Sequence, residues 1–248
     1  MFHNKGAISL FLAIAVVGSL LPQTAEAQRR FVPRASTGDI SLGIAIATVS
    51  AGQDDMNSAI DAAAATGAST KNLGNAWEIM GSWNYRFSGT MYSFVFRPSY
   101  FFQKQDGSGP GGSYDYGLSG FTVFPIFRVT PLENSFIKFY MQTGLGYGTL
   151  NGEITAGAHD LKFKGSAFGV MGGIGVDFCF SDAHCLTVEG NLRYMPIERN
   201  LTTGGNCTNG SIPDVTQCGG SSEVELRNSD LRTTFSGVQG VVGYTMNF

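Results

Sequence analysis

Val238-Gln-Gly-Val-Val-Gly-Tyr-Thr-Met-Asn-Phe248 alternates in character along its whole length. Val238, Val242, Tyr244, Met246 and Phe248 share one parity, with Gly240 interrupting them, while Gln239, Thr245 and Asn247 lie on the other. Successive side chains of a strand point to opposite faces, so this stretch reads as a strand with one apolar and one more polar side. A water-soluble protein gains little by ending on an exposed aromatic strand. A strand that closes a barrel in lipid needs one, because hydrocarbon wets the outer face and each backbone group must find a partner around the ring.

The opposite end fits export. Met1 to Lys5 forms a short charged start, residues 6–21 are uncharged and largely apolar, and Ala25-Glu26-Ala27 suits a small-x-small cleavage site. The apolar run of 16 residues is too short to span a bilayer as a helix. Residues 1–27 are therefore expected to be a secretory signal peptide, leaving residues 28–248 as one domain. Cleavage would remove one base and one acid, so the formal charge stays at −3 and no basic surplus points to nucleic acid. The 34 glycines, 19 phenylalanines and only 14% charged residues suit crowded aromatic strands better than a helical globule.

Eight alternating segments of about 9–11 residues, the length a tilted strand needs to cross lipid, can be placed. They cover residues 39–49, 76–87, 92–103, 114–127, 136–148, 167–179, 184–197 and a closing strand from about residue 231. Ile40, Leu42, Ile44 and Ile46 share one face of the first; Trp77, Ile79, Trp83, Tyr85 and Phe87 share one face of the second. The fourth alternates less cleanly, and Pro125 predicts a local break in its ladder. Links of residues 88–90, 129–135 and 180–183 are short; those of residues 50–75, 104–113, 149–166 and 198–230 are long, in strict alternation. Short turns on one side of a membrane and longer loops on the other produce that pattern. The expected fold class is thus all-β: a transmembrane antiparallel up-and-down β-barrel, eight-stranded.

Charges obey the same parity. Glu78, Arg86, Arg97, Lys138, Asp177, Glu189 and Arg193 all fall on the less apolar, inward face and are expected to form a lumen salt-bridge network. An Arg or Lys on the lipid face near mid-plane would cost about 2–4 kcal/mol. Trp83, Tyr85, Phe87, Tyr92 and Tyr244 are expected as a girdle at the inner interface, and Trp77, Tyr100, Tyr114, Tyr116, Tyr147 and Tyr194 at the outer one. Phe101, Phe121, Phe127 and Tyr140 are expected to fill the lumen.

With these features in view, the chain resembles the small outer-membrane barrels of the OmpA, OmpX and OmpW type over essentially its whole mature length. The resemblance rests on the architecture and on Val-Gly-Tyr-Thr-Met-Asn-Phe at the end, and no peptidoglycan-binding segment is read after Phe248. It implies that Tyr244, Met246 and Phe248 form an assembly signal read by the barrel-assembly machinery. It also implies residence in the bacterial outer membrane, among its lipids.

Four cysteines in an exported chain allow three disulfide pairings. Cys179 and Cys185 flank an inner turn, whereas Cys207 and Cys218 lie in the last outer loop, so a cross-pairing would have to bridge an apolar band about 25 Å tall. The pairs Cys179–Cys185 and Cys207–Cys218 are predicted. Residues 54–67 read as a short helix in the first loop, acidic at its start and ended by Gly67, and Asp54, Asp55 and Asp61 lack calcium-loop spacing. No cofactor or metal is implied. Function then divides three ways. A non-catalytic barrel with a filled lumen, acting in envelope structure or in contact with a surface ligand through its outer loops, is favoured. The alternative is a narrow pore for ions or small, even apolar, solutes. The third is a lipid-active enzyme, for which His159 with Ser166 is the one candidate pair.

Overall fold

The computed structural model describes residues 40–248. The signal peptide read over residues 1–27 lies outside the described residues. The chain builds β1 (Ile40–Ser50), α1 (Asp54–Ala65), β2 (Ala76–Arg86), β3 (Tyr92–Gly109), β4 (Gly112–Glu133), β5 (Ile137–Ala156), β6 (His159–Cys179) and β7 (His184–Tyr194). Short strands follow: β8 (Pro196–Ile197), β9 (Asn200–Gly205), β10 (Val215–Gln217), β11 (Glu225–Leu226), β12 (Ser229–Asp230) and β13 (Thr233–Thr234). The last, β14 (Gly237–Asn247), pairs antiparallel with both β7 and β1. β1 to β7 pair in sequence order, so β14 closes an eight-stranded up-and-down barrel and leaves its wall without a free edge.

Parity decides which side chain goes where. Ile44, Leu145, Phe168 and Leu192 are 72%, 69%, 80% and 67% exposed on the outer wall. The alternate residues Glu78, Arg97, Gln142, Glu189 and Arg193 are buried in the lumen. A continuous outward apolar band of this kind is costly against water and favourable against hydrocarbon. Among the described residues no helix is long and apolar enough to cross a membrane. Large inward aromatics are accommodated by glycines across the lumen: a Cβ on Gly146 would sit 2.4 Å from the Phe124 ring, and one on Gly175 2.5 Å from the Tyr140 ring.

Several sequence expectations are corrected. Phe121 and Phe127 point outward, and the fourth strand instead sends Phe124 and Ile126 inward. Pro125 breaks the β4–β5 pairing locally, as expected, with the same register on both sides, and a further register shift that the sequence did not signal falls between Val129 and Leu132. Tyr114 and Tyr116 are buried inside the barrel's outer end and belong to no girdle. The strands are also longer than the sequence suggests. β3 to β6 run 18 to 22 residues, because the segments read as loops over residues 104–113 and 149–166 continue as hairpins past the apolar band. The estimate of about 9–11 residues counts only what lipid requires, and nothing stops a strand once it enters water. The seventh strand leaves the barrel after Tyr194, and Pro196 and Ile197 pair with Thr234 and Thr233.

Candidate functional site

Strand alternation sends a polar set into the barrel's middle, and the structure sorts it into two linked centres. Arg97 donates to Glu189 from both ends of its guanidinium, at 2.7 and 2.8 Å. Glu189 also accepts from Arg128 Nη2 at 3.1 Å, the Tyr140 hydroxyl at 2.8 Å, Gln142 Nε2 at 2.9 Å and Asn191 Nδ2 at 3.1 Å. The Arg128 guanidinium lies 3.8 Å from the centroid of the Tyr140 ring. Two cations and three neutral donors around one carboxylate satisfy the demand of a buried charge for both pairing and hydrogen bonds.

The second centre is Glu78, which accepts from Arg193 Nη1 at 2.9 and 3.1 Å, from Ser99 at 2.5 Å and from Gln239 at 2.5 Å. Asn191 donates to Gln239 Oε1 at 3.0 Å and so joins the two centres across the lumen. Arg193 Nε also donates to the carbonyl of Phe235, 2.6 Å away, a residue of the long segment between β7 and β14. The last loop is thereby tied into the barrel's interior.

All seven charged residues named from the sequence face inward, yet they do not form one cluster. Arg97 meets Glu189, and Arg193 meets Glu78. Arg86 and Lys138 instead meet Glu133 at the inner end, at 2.5 and 3.5 Å. Asp177 stands apart and accepts from the Thr187 hydroxyl at 2.6 Å. Ending the fourth strand at residue 127 leaves out Arg128 and Glu133, although both lie on the strand that continues beyond it. Gln142, Asn191 and Gln239 carry no charge and give no signal beyond their inward position.

Above this layer the lumen changes character. Phe101, Phe124, Leu150, Ile154 and Phe163 from the barrel join Met56 and Ile60 of α1 and Met195, Ile197, Leu231 and Phe235 of the last loop in one buried apolar core. Phe101 and Phe235 meet edge to face with centroids 4.9 Å apart. Gln53, just before α1, bonds the Thr234 backbone with both ends of its amide, at 2.7 and 3.1 Å. Tyr116 pairs with Gln105 in the hairpin beyond the apolar band, and burial there pushes its phenol up to about 12. The outermost part of the last loop is stapled by Cys207–Cys218, with Cα atoms 6.0 Å apart, while Cys179–Cys185 joins directly paired residues of β6 and β7 at 3.9 Å.

The remaining candidates separate. His159 and Ser166 lie on the same strand, β6, seven residues and so about 23 Å apart, and cannot act as a pair. His184 sits at the opposite end, its Nδ1 against the Tyr244 hydroxyl. Tyr244 and Phe248 face outward at the inner rim, and Met246 is half-buried beside them. Among the described residues no three of His, Cys, Asp and Glu converge as metal ligands would.

No family model and no curated relative matches the chain. Solved structures do. The outer membrane protein OprG of Pseudomonas aeruginosa superposes with a TM-score of 0.57 at 12% identity, covering 85% of this chain and 96% of OprG. A major outer membrane protein of Thermus thermophilus gives 0.47 at 10% identity over 84% and 99% of the two chains. Ail of Yersinia pestis gives 0.38 at 12% identity over 85% and 99%. With the OprG superposition and its own wall closed by β14, the chain has the fold of the small eight-stranded outer-membrane β-barrels.

Proposed function

We propose that this chain is an integral outer-membrane barrel with a sealed lumen, non-catalytic, whose work is envelope structure and surface contact through its outer cap. Its outward apolar band would sit among outer-membrane lipids. Tyr244, Met246 and Phe248, on the closing strand, are the residues we assign to recognition by the assembly machinery. The stapled, polar segment around Cys207–Cys218 is the surface offered to a ligand outside the cell, because the disulfide limits the ordering cost of binding.

The observation that carries this reading is the double closure of the lumen. The Glu189 and Glu78 centres close the section at mid-height, and the apolar core around Phe235 fills the space beyond. An ion would have to break buried pairs and then cross a dry core, both costly. Single-channel recording in planar bilayers tests it, using protein whose gel migration shifts on boiling and which fractionates with outer membranes. No steady conductance is expected. Regular conductance steps that vanish on altering Arg97 or Glu189 would instead establish the narrow pore.

A further inference from the structure

Below the Glu189 centre the lumen is a blind vestibule open at the inner end, and its lining is richer in cations than in acids. Arg86, Arg97, Arg128 and Lys138 line it, against Asp177 and Glu189. The geometry points to a binding pocket for a small oxyanion, a carboxylate or phosphate, held between Arg128 and Lys138.

Glu189 brings one negative charge against the two guanidiniums of Arg97 and Arg128, and its two oxygens already accept six hydrogen bonds. Arg128 takes only the longer share of that carboxylate, 3.1 Å against 2.7 Å for Arg97. Its Nε and Nη2 reach Gln142 Oε1 at 3.3 and 3.0 Å, and the buried Arg97 Nε has no hydrogen-bond partner among the described residues. Lys138 is in the same position at the rim: Glu133 is 3.5 Å from it but 2.5 Å from Arg86. Asp177 is the remaining acid, and among the described residues it makes no ion pair within 4.0 Å. Four cations that share Glu189 and Glu133 two by two therefore border one cavity whose side walls are clad in hydrocarbon, where water and salt cannot screen them laterally.

The cavity holds about 60 Å³, room for roughly four to six water-sized groups. That suits an acetate-sized or phosphate-sized anion. An arginine fork above and a lysine below match the planar or tetrahedral oxygens of such an ion. This pocket lies on the inner side of the seal, so its occupancy does not depend on whether the barrel conducts.

The test uses the full folded chain in detergent with ¹⁵N-labelled arginine, following the Nε–H resonances of Arg97 and Arg128. Sodium acetate and sodium phosphate are titrated separately at ionic strength fixed with sodium chloride. Saturable shifts are expected, about tenfold weaker in binding after Lys138→Gln, which leaves the Glu189 centre intact, and unchanged after Arg199→Gln in the outer loop. Saturation by acetate alone or by phosphate alone selects the class of ion. Shifts that rise linearly with both salts, or that saturate equally well in Lys138→Gln, overturn the site.

Discussion

The two halves of the lumen obey one parity rule and end with opposite chemistry. Inward positions near the outer end are Leu150, Ile154 and Phe163, with no charge among them, and Phe101 and Phe124 stand beside Glu78 and Arg97 at the boundary. Inward positions toward the inner end include Arg86, Arg97, Arg128, Lys138, Asp177 and Glu189, with Val95 and Ile126 as apolar neighbours. Alternation along a strand fixes the face a side chain takes; what that face touches fixes its polarity. The outer half is roofed by α1 and by the segment between β7 and β14, which bring Met56, Ile60, Leu231 and Phe235 to meet the barrel. A roofed lumen can be dry and apolar. Among the described residues the inner half is bordered by short turns alone and has no roof, so its walls must face water or one another. The Glu78–Arg193 pair, bonded to the Phe235 carbonyl, marks the seam.

Breaking the polar half should have the largest effect. Glu189→Ala removes the one carboxylate shared by Arg97 and Arg128 and leaves two guanidiniums facing a gap. Loss of one partner of a buried pair costs about 3–5 kcal/mol. Urea unfolding of the barrel in lipid vesicles should show a destabilisation of that size. A much smaller loss would mean that water reaches this layer freely and that the seal is not a seal.

Phe235→Ala probes the dry half. Its ring is fully buried against Phe101 and carries the last loop into the lumen. Truncating a buried Phe costs about 3–5 kcal/mol where the site cannot collapse. Here the loop can relax, so the low end of that range is expected, with faster hydrogen exchange at residues 231–236 while β1 to β7 keep their protection. Uniform loss of protection would show that the roof and the barrel unfold as one unit, with no division between the two halves.

How much of this was legible in the sequence follows from what each signal depends on. Strand number, the closing role of residues 238–248 and the inward placement of seven charges depend on alternation and turn spacing, both local. The partners of those charges depend on the stagger between strands, which no local pattern encodes. Arg86 and Lys138 accordingly share Glu133 rather than join the central pairs. The error over Phe121 and Phe127 has a related origin. In β4 both parities carry bulky residues, Phe121, Val123 and Phe127 against Thr122, Phe124 and Ile126, so hydrophobicity alone could not choose a face. The roof was legible only in part. The helix in the first loop had its acidic start and closing glycine, but the closing strand was read from about residue 231, which placed Phe235 in the wall, whereas β14 begins at Gly237 and Phe235 enters the barrel from the segment before it.

The two disulfides repeat the comparison at smaller scale. Cys179 and Cys185 are register partners in the barrel wall, already held by the ladder on both sides and by the Cys179 amide bond to the Phe136 carbonyl. Cys207 and Cys218 close a span of 11 residues in which β10 offers only three residues of strand. In the chain-entropy model a loop of that length is stabilised by up to about 3 kcal/mol. Replacing Cys207 and Cys218 by Ser should therefore raise hydrogen exchange across residues 206–218 and leave the unfolding midpoint of the barrel nearly unchanged, because Ile212, Val215 and Cys218 join the buried core of the cap while the barrel wall closes without this segment. Replacing Cys179 and Cys185 should change local exchange less, since neighbouring backbone pairs hold the same geometry. If the outer staple instead shifted the barrel midpoint as much as Phe235→Ala does, the cap would have to be counted as part of the barrel's own cooperative core.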